Sequence, residues 1–327
     1  MRKHPIRRTV YSVAVVVIAA LAFVNAASAG GGATARTKLT LMAPASPGGG
    51  WDSFARENQQ AMRANGVVNN VQVVNVPGAG GTIGLSQFVQ MEGRNDMLMV
   101  TGGVMIGAIQ LADSPETMED IVPIARVSDD YAALVVPADS PYKTLEDFLT
   151  AWKKDPGGTS IAGGSLGSID HLMTGLVAKK VGIDPEKVNY VAYSGGGEAL
   201  TAMISGTTTA GMSGYNEVAP QIEAGNLRPL AISAPKPLPD IDVPTFKEQG
   251  VDASMANWRG VAAAPGITEE EKAEFVEIMS ETRKTPEWQD ALERNNWTDS
   301  FMTGDELDKF LDKEIRRTKS IVEDLGL

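Results

Sequence analysis

Short apolar runs, each closed by a glycine-rich loop and followed by a helical stretch, recur along this 327-residue chain and restrict its fold more than any single motif. Residues 39–43 lead into Pro47-Gly48-Gly49-Gly50-Trp51-Asp52 and a helical stretch over 53–64. Residues 71–76 lead into Pro77-Gly78-Ala79-Gly80-Gly81 and a helix from Thr82, and 97–101 form a third apolar run. A second set follows, with strands expected at 132–136, 160–162, 188–192, 210–212 and 229–233, and another at 258–263. Alternation of strand and helix requires crossover connections, so the pattern predicts an α/β fold with parallel sheet. Four prolines between positions 235 and 244 predict an irregular connection. Thr144 with Asp147, Thr268 with Glu271, Thr303 with Glu306, and Thr285-Pro286 predict capped helix starts. Leu307, Phe310, Leu311 and Ile315 mark the apolar face of the last helix.

The N-terminus reads as an export signal. Arg2, Lys3, Arg7 and Arg8 precede an apolar run over 10–24, and Ala27-Ser28-Ala29 supplies the small residues of a cleavage site after Ala29. That run is short for a membrane span, and no later segment sustains the roughly 20 apolar residues a span requires. Loss of residues 1–29 as a signal peptide removes four positive charges and no acid, taking the formal charge from −12 to −16. So anionic a chain, with no basic cluster among aromatics, is not expected to bind nucleic acid. The absence of cysteine excludes disulfides, thiolate zinc sites and lipid attachment through an N-terminal cysteine.

In an open parallel sheet the loops leaving the carboxyl ends of the strands face a crevice, and the helices that follow aim unpaired N–H groups into it. Glycine there lets the backbone approach a ligand, and the helix dipole favours negative charge. Four loops qualify: 46–52, 78–81, 163–168 and 194–197. Their repetition in two sets of units points to a binding crevice for an anion held by local donors.

Taken in order, Pro47-Gly48-Gly49-Gly50-Trp51-Asp52 with Ala55-Arg56, Asn75-Val76-Pro77-Gly78-Ala79-Gly80-Gly81-Thr82-Ile83-Gly84, Gly163-Gly164-Ser165-Leu166-Gly167-Ser168 with His171-Leu172, Tyr193-Ser194-Gly195-Gly196-Gly197 and Trp258-Arg259-Gly260-Val261 form a series that resembles the solute receptors of tripartite tricarboxylate transporters, the TctC or Bug family. The resemblance implies a periplasmic binding protein of the type II fold: two α/β lobes, a hinge, and a carboxylate closed in the interlobe cleft. It places residues 38–128 with 256–327 in one lobe and 129–255 in the other. It also implies that Ser46, Gly48, Gly49, Gly50 and Asp52 on one lobe, and Ser165, Gly167 and Ser168 on the other, hold the ligand. Leu166 stands where the family commonly has proline. The implied partners are a small organic carboxylate, with a tricarboxylate such as citrate suggested by the family name, and the membrane permease subunits of such a transporter. The receptor is expected to be a periplasmic monomer without cofactor or metal.

Further residues have two readings each. Asp52 either meets a ligand amine or caps its helix. Arg259 either pairs bidentately with a ligand carboxylate or with an interdomain acid. Trp51 and Trp258 either wall the cleft or pack beneath it, and Tyr193 turns its hydroxyl to ligand or to solvent. Gly163-Gly164-Ser165-Leu166-Gly167 satisfies G-x-S-x-G, so an exported serine hydrolase using Ser165 is an alternative. Its base would have to be His171, the one histidine after the leader, which lies inside the helix the elbow would open. A carboxylate-sensing receptor of the same fold is a third reading. The glycine loops also miss the dinucleotide and phosphate-loop patterns.

Overall fold

The computed structural model describes residues 35–112, 114–193 and 196–326. The expected leader and Ser194-Gly195 of the fourth glycine loop lie outside the described residues. The strands are β1 (Lys38–Ala43), β2 (Asn70–Asn75), β3 (Met97–Gly102), β4 (Val122–Pro137), β5 (Ser160–Gly163), β6 (Asn189–Ala192), β7 (Ala210–Gly214), β8 (Leu227–Ile232), β9 (Ala256–Ala263) and β10 (Thr298–Met302). The α-helices are α1 (Gly50–Ala64), α2 (Thr82–Val89), α3 (Gly103–Ala112), α4 (Leu145–Lys154), α5 (Ile169–Lys180), α6 (Gly196–Ile204), α7 (Tyr215–Glu223), α8 (Glu269–Thr282), α9 (Pro286–Arg294) and α10 (Gly304–Asp324).

The strands run in the order β2-β1-β3-β9-β4-β7-β5-β6, with β8 and β10 paired to β4. The two halves repeat one plan. Parallel β2-β1-β3 is closed by antiparallel β9, and parallel β6-β5-β7 is closed by antiparallel β4. The expectation of parallel sheet is corrected at these closing strands: β4 carries the chain out of the first half and β9 brings it back, so each runs against the parallel strands it closes. The result is a two-lobed α/β periplasmic binding protein fold.

The hinge is built largely from one strand. Residues 122–131 of β4 pair with β9, and residues 132–137 pair with β7 and β8, so a single 16-residue strand serves both sheets. Ser233, fully buried, stitches the outgoing and returning segments: its hydroxyl accepts from the Ala132 N–H at 2.9 Å and donates to the Met255 carbonyl at 2.7 Å. Each lobe has its own core. Phe54, Phe88, Phe275 and Trp288 belong to the first cluster, and Phe148, Trp152, Leu172 and Phe246 to the second. The last helix spans both, with Leu307 and Leu311 in the first cluster and Ile321, Val322 and Leu325 beside the second.

Capping boxes form at Thr144 and Thr268, and Thr285 caps α9 with Pro286 in its first turn. Thr303 precedes α10 without a side-chain cap bond, because Gly304 enters the helix at φ +57 and carries the backbone past the geometry a box requires. The β10 strand, unmarked by any periodicity, exists because it finds an antiparallel partner in β4.

Candidate functional site

Three helix starts converge on the Trp258-Arg259 pair of β9. A Cβ placed on Gly50, the first residue of α1, would lie 3.2 Å from Arg259 Nη2. One placed on Gly103, the first residue of α3, would lie 2.8 Å from Ile169 Cδ1 and 3.3 Å from Trp258 Nε1, and Ile169 opens α5 of the other lobe. The lobes also touch at Gly107 and Gly167, where any Cβ on Gly107 would overlap the Gly167 carbonyl. Glycine at these positions lets helix starts from both lobes come together over the hinge.

On the first lobe, the loop before α1 is organised from within. Gly48 turns at φ +82, a conformation that favours glycine, and its N–H donates to Asp52 Oδ2 at 2.8 Å. Asp52 Oδ2 also accepts from Arg56 Nε at 2.9 Å, and Oδ1 accepts from Asn75 Nδ2 at 2.8 Å. Burial opposes ionisation of Asp52, but these three hydrogen bonds outweigh it and hold the carboxyl below its ordinary range. Asp52 therefore shapes the loop with both oxygens. The Gly49 N–H is used by the Ser46 carbonyl at 3.0 Å, and Ser46 itself is exposed. No side chain caps α1, so the first-turn amides of Gly50, Trp51 and Asp52 are its free donors. Trp51 is 8 % exposed, with its ring edge against Gly81 and its indole nitrogen near Gly102, so it packs beneath the loop. Trp258 is likewise buried, edge-on to Phe310 at 5.4 Å.

On the second lobe, Ser165 is exposed and its carbonyl accepts the Ser168 N–H at 3.0 Å. Gly167 sits at φ +75, and Ser168 is the N-cap of α5, its hydroxyl accepting the His171 N–H at 3.4 Å. The Gly167 N–H donates to His171 Nδ1 at 3.1 Å, and the imidazole stacks on Tyr190 with centroids 4.3 Å apart. Burial drives the His171 pKa down to about 4, so the ring is neutral and its Nδ1 is committed to the loop rather than to Ser165. Tyr193 lies half-buried against the small cluster that includes Val135, Ala162 and Met203, and its N–H donates to the Gly163 carbonyl at 3.0 Å, at the strand end that leads into the loop before α5.

Arg259 is 3 % exposed. The one hydrogen bond of its guanidinium among the described residues, to Asp130 Oδ2, is long at 3.4 Å, and its Nη1 is buried without a partner. Asp130 is buried in the hinge strand and accepts from the Tyr131 N–H at 2.9 Å. Burial, against the pull of Arg259 and with the push of Glu217, raises the Asp130 carboxyl to about 7. Asp170, in the first turn of α5, is raised to about 7 by burial and by Glu217. Asp130, Asp170 and Glu217 were not among the expected site residues. One signal existed for the first: Asp129-Asp130 interrupts an apolar strand that is otherwise buried. Asp129 is explained by Arg126 and Ser300, which leaves Asp130 as the carboxylate without a structural partner of that quality.

Residues 54–327 match the profile described as "Tripartite tricarboxylate transporter family receptor". The chain belongs to this family. Among relatives of this receptor, protein BugT of Bordetella pertussis is 27% identical over 294 residues, covering 88% of this chain and 89% of that one. A TctC solute-binding protein from Polaromonas, solved without ligand, is 27% identical with a TM-score of 0.72, covering 88% of this chain and 99% of that one. MatC from Rhodopseudomonas palustris, solved with malate, shares the fold at 21% identity and a TM-score of 0.74, covering 88% and 99%. TctC and Bug proteins are periplasmic solute-binding receptors for small carboxylates. Among the described residues of this TctC-family receptor, no helix is long and apolar enough to cross a membrane.

Proposed function

We propose that the protein, exported by cleavage after Ala29, closes on a small organic carboxylate and presents it to the permease of a tripartite tricarboxylate transporter. The observation that carries this reading is the convergence of the starts of α1, α3 and α5 on Trp258-Arg259. Unpaired helix amides and a buried, under-satisfied guanidinium together suit a carboxylate, which can take two parallel bonds from an arginine fork. We assign the ligand contacts to the amides opening α1 at Gly50, Trp51 and Asp52, to Arg259, and to Ser165 and Ser168 at the start of α5. Ser46, Gly48 and Gly49 hold the loop in shape, and closure brings the two sides together about β4. Charge-assisted hydrogen bonds of roughly 1.5–3 kcal/mol each, less the cost of ordering, suffice for micromolar binding from a handful of contacts.

Isothermal titration and thermal shift of the exported protein against malate, succinate, adipate and citrate test the reading. Binding that raises the melting temperature with ligand concentration is expected. A flat response to every acid, with no organic acid released on denaturation, overturns it. Citrate is in the panel because the family name suggests a tricarboxylate, and its three carboxylates ask for more cationic partners than Arg259 alone supplies.

A further inference from the structure

The loop that opens α5 is held in shape by three side chains. The Gly164 N–H donates to Asp170 Oδ2 at 2.9 Å, the Gly164 carbonyl accepts from the Tyr190 hydroxyl at 2.9 Å, and the Gly167 N–H donates to His171 Nδ1 at 3.1 Å. Tyr190 stands on β6, opposite Ile161 of β5. Its hydroxyl reaches Gly164 across Gly163, where any Cβ would overlap it. The imidazole lies on the phenol ring with centroids 4.3 Å apart and planes 27° apart. Ser165 and Leu166 stay exposed between the two pinned glycines.

Through Gly167, His171 acts on two surfaces at once. The N–H that the family resemblance gives to the ligand is engaged by the imidazole, and the carbonyl of the same residue meets Gly107 of the first lobe. An acceptor at Nδ1 requires the proton on Nε2, since an imidazolium or the other tautomer sets two N–H groups against each other. His171 is 6 % exposed, and its burial keeps the ring neutral. Without that acceptor the Gly167 N–H loses its partner, and a donor left unpaired away from water costs enough to turn the peptide elsewhere. Such a turn moves Ser165 on one side and the contact with α3 on the other.

We propose that His171 and Tyr190 are positioning residues of the binding site: the imidazole holds Gly167 and the phenol holds Gly164, so that Ser165 between them meets the ligand carboxylate and the Gly167 carbonyl meets α3 when the lobes close. The inference rests on the receptor reading above and assigns the Gly167 amide to the protein rather than to the ligand. The stack on Tyr190 fixes the plane of the imidazole, and Nδ1 alone fixes the loop.

The test is a titration of the exported protein and three variants with L-malate, succinate, adipate and citrate, with a melting curve for each protein. His171→Phe keeps a ring on Tyr190 and removes the acceptor, and it is expected to weaken binding about tenfold, the loss of one buried hydrogen bond. His171→Asn lacks the ring but places Oδ1 where Nδ1 stood, and it is expected to bind within about threefold of the parent although it melts lower. Tyr190→Phe keeps the stack, releases Gly164 and is expected to weaken binding in the same sense as His171→Phe. A role confined to stability makes affinity follow melting temperature across the three, and that order, or parent affinity in His171→Phe, overturns the proposal. Selective 15N labelling of histidine reports on the parent without substitution, because His171 is the one histidine after the leader. Its proton is expected on Nε2, and a proton on Nδ1 overturns the proposal. Binding of none of the acids by the parent overturns the receptor reading and the positioning role with it.

Discussion

Asp52 holds Gly48 through a 2.8 Å hydrogen bond from the glycine N–H, and the same carboxylate reaches Asn75 at the end of β2. The glycine loop and the neighbouring strand end are thus tied to the first turn of α1 by one buried side chain. Asp52→Ala leaves the Gly48 and Asn75 donors without this acceptor and is expected to cost about 3 kcal/mol in chemical denaturation. Because Asp52 is held below its ordinary pKa, its contribution is present above the unfolded carboxyl range and is lost as pH falls through the folded value. A variant as stable as the parent at neutral pH contradicts this role.

Gly49 is the N-cap of α1 at φ −74, ψ 166, a conformation open to other residues. Aspartate there can accept from the free amides of the first turn, as N-cap aspartates do. Gly49→Asp is therefore expected to fold with equal or higher melting temperature and to lose carboxylate binding, since its own carboxylate occupies the donors. Parent-like affinity in the folded variant counts against the placement at α1.

The Gly107 and Gly167 contact joins the lobes. Gly107→Ala leaves α3 a good helix, but its methyl overlaps the Gly167 carbonyl when the lobes meet. Overpacking of that kind costs about 1–3 kcal/mol and falls on the closed form, so affinity is expected to drop about tenfold or more. Small-angle scattering with and without ligand should show incomplete closure; full compaction at parent affinity rules it out.

Asp130 and Asp170 are both raised to about 7, against an ordinary aspartate near 3.8. Between those values the folded protein holds protons that the unfolded chain has released. Stability of the ligand-free protein is therefore expected to fall as pH rises from about 4 to about 7, over and above the effects of other groups. Asp170→Asn should flatten part of that slope in melts across the range, and an unaltered slope would remove Asp170 from the account.

Thr268 closes a capping box and Thr303 does not. Thr268→Ala is expected to cost about 1 kcal/mol, and Thr303→Ala a small fraction of that, by urea denaturation. Equal losses would mean that the two helix starts are capped alike.

The residues that shape the site were unevenly legible. Gly50, Gly167 and Ser168 could be found because a strand end, a glycine and a helix start lie together in the chain. Asp52 and Arg259 were readable only as pairs of alternatives. The choice depended on neighbours: Gly48 and Asn75 engage both oxygens of Asp52, whereas Asp130 meets Arg259 through one long bond. Trp51 went beneath the loop because Gly81 and Gly102 leave room for an indole there, which no local pattern records.

By itself the sequence determined the α/β class, the repeated strand–loop–helix units and the family, because these depend on periodicity and on glycines at fixed local spacing. Tertiary structure alone decided that one strand serves both sheets, that β9 and β10 run antiparallel, and that Arg259 meets Asp130. Arg259 and Asp130 are 129 positions apart. Their meeting, and the charge of the site they form, follows from the return of the chain through the hinge, a long-range pairing that local periodicity does not encode.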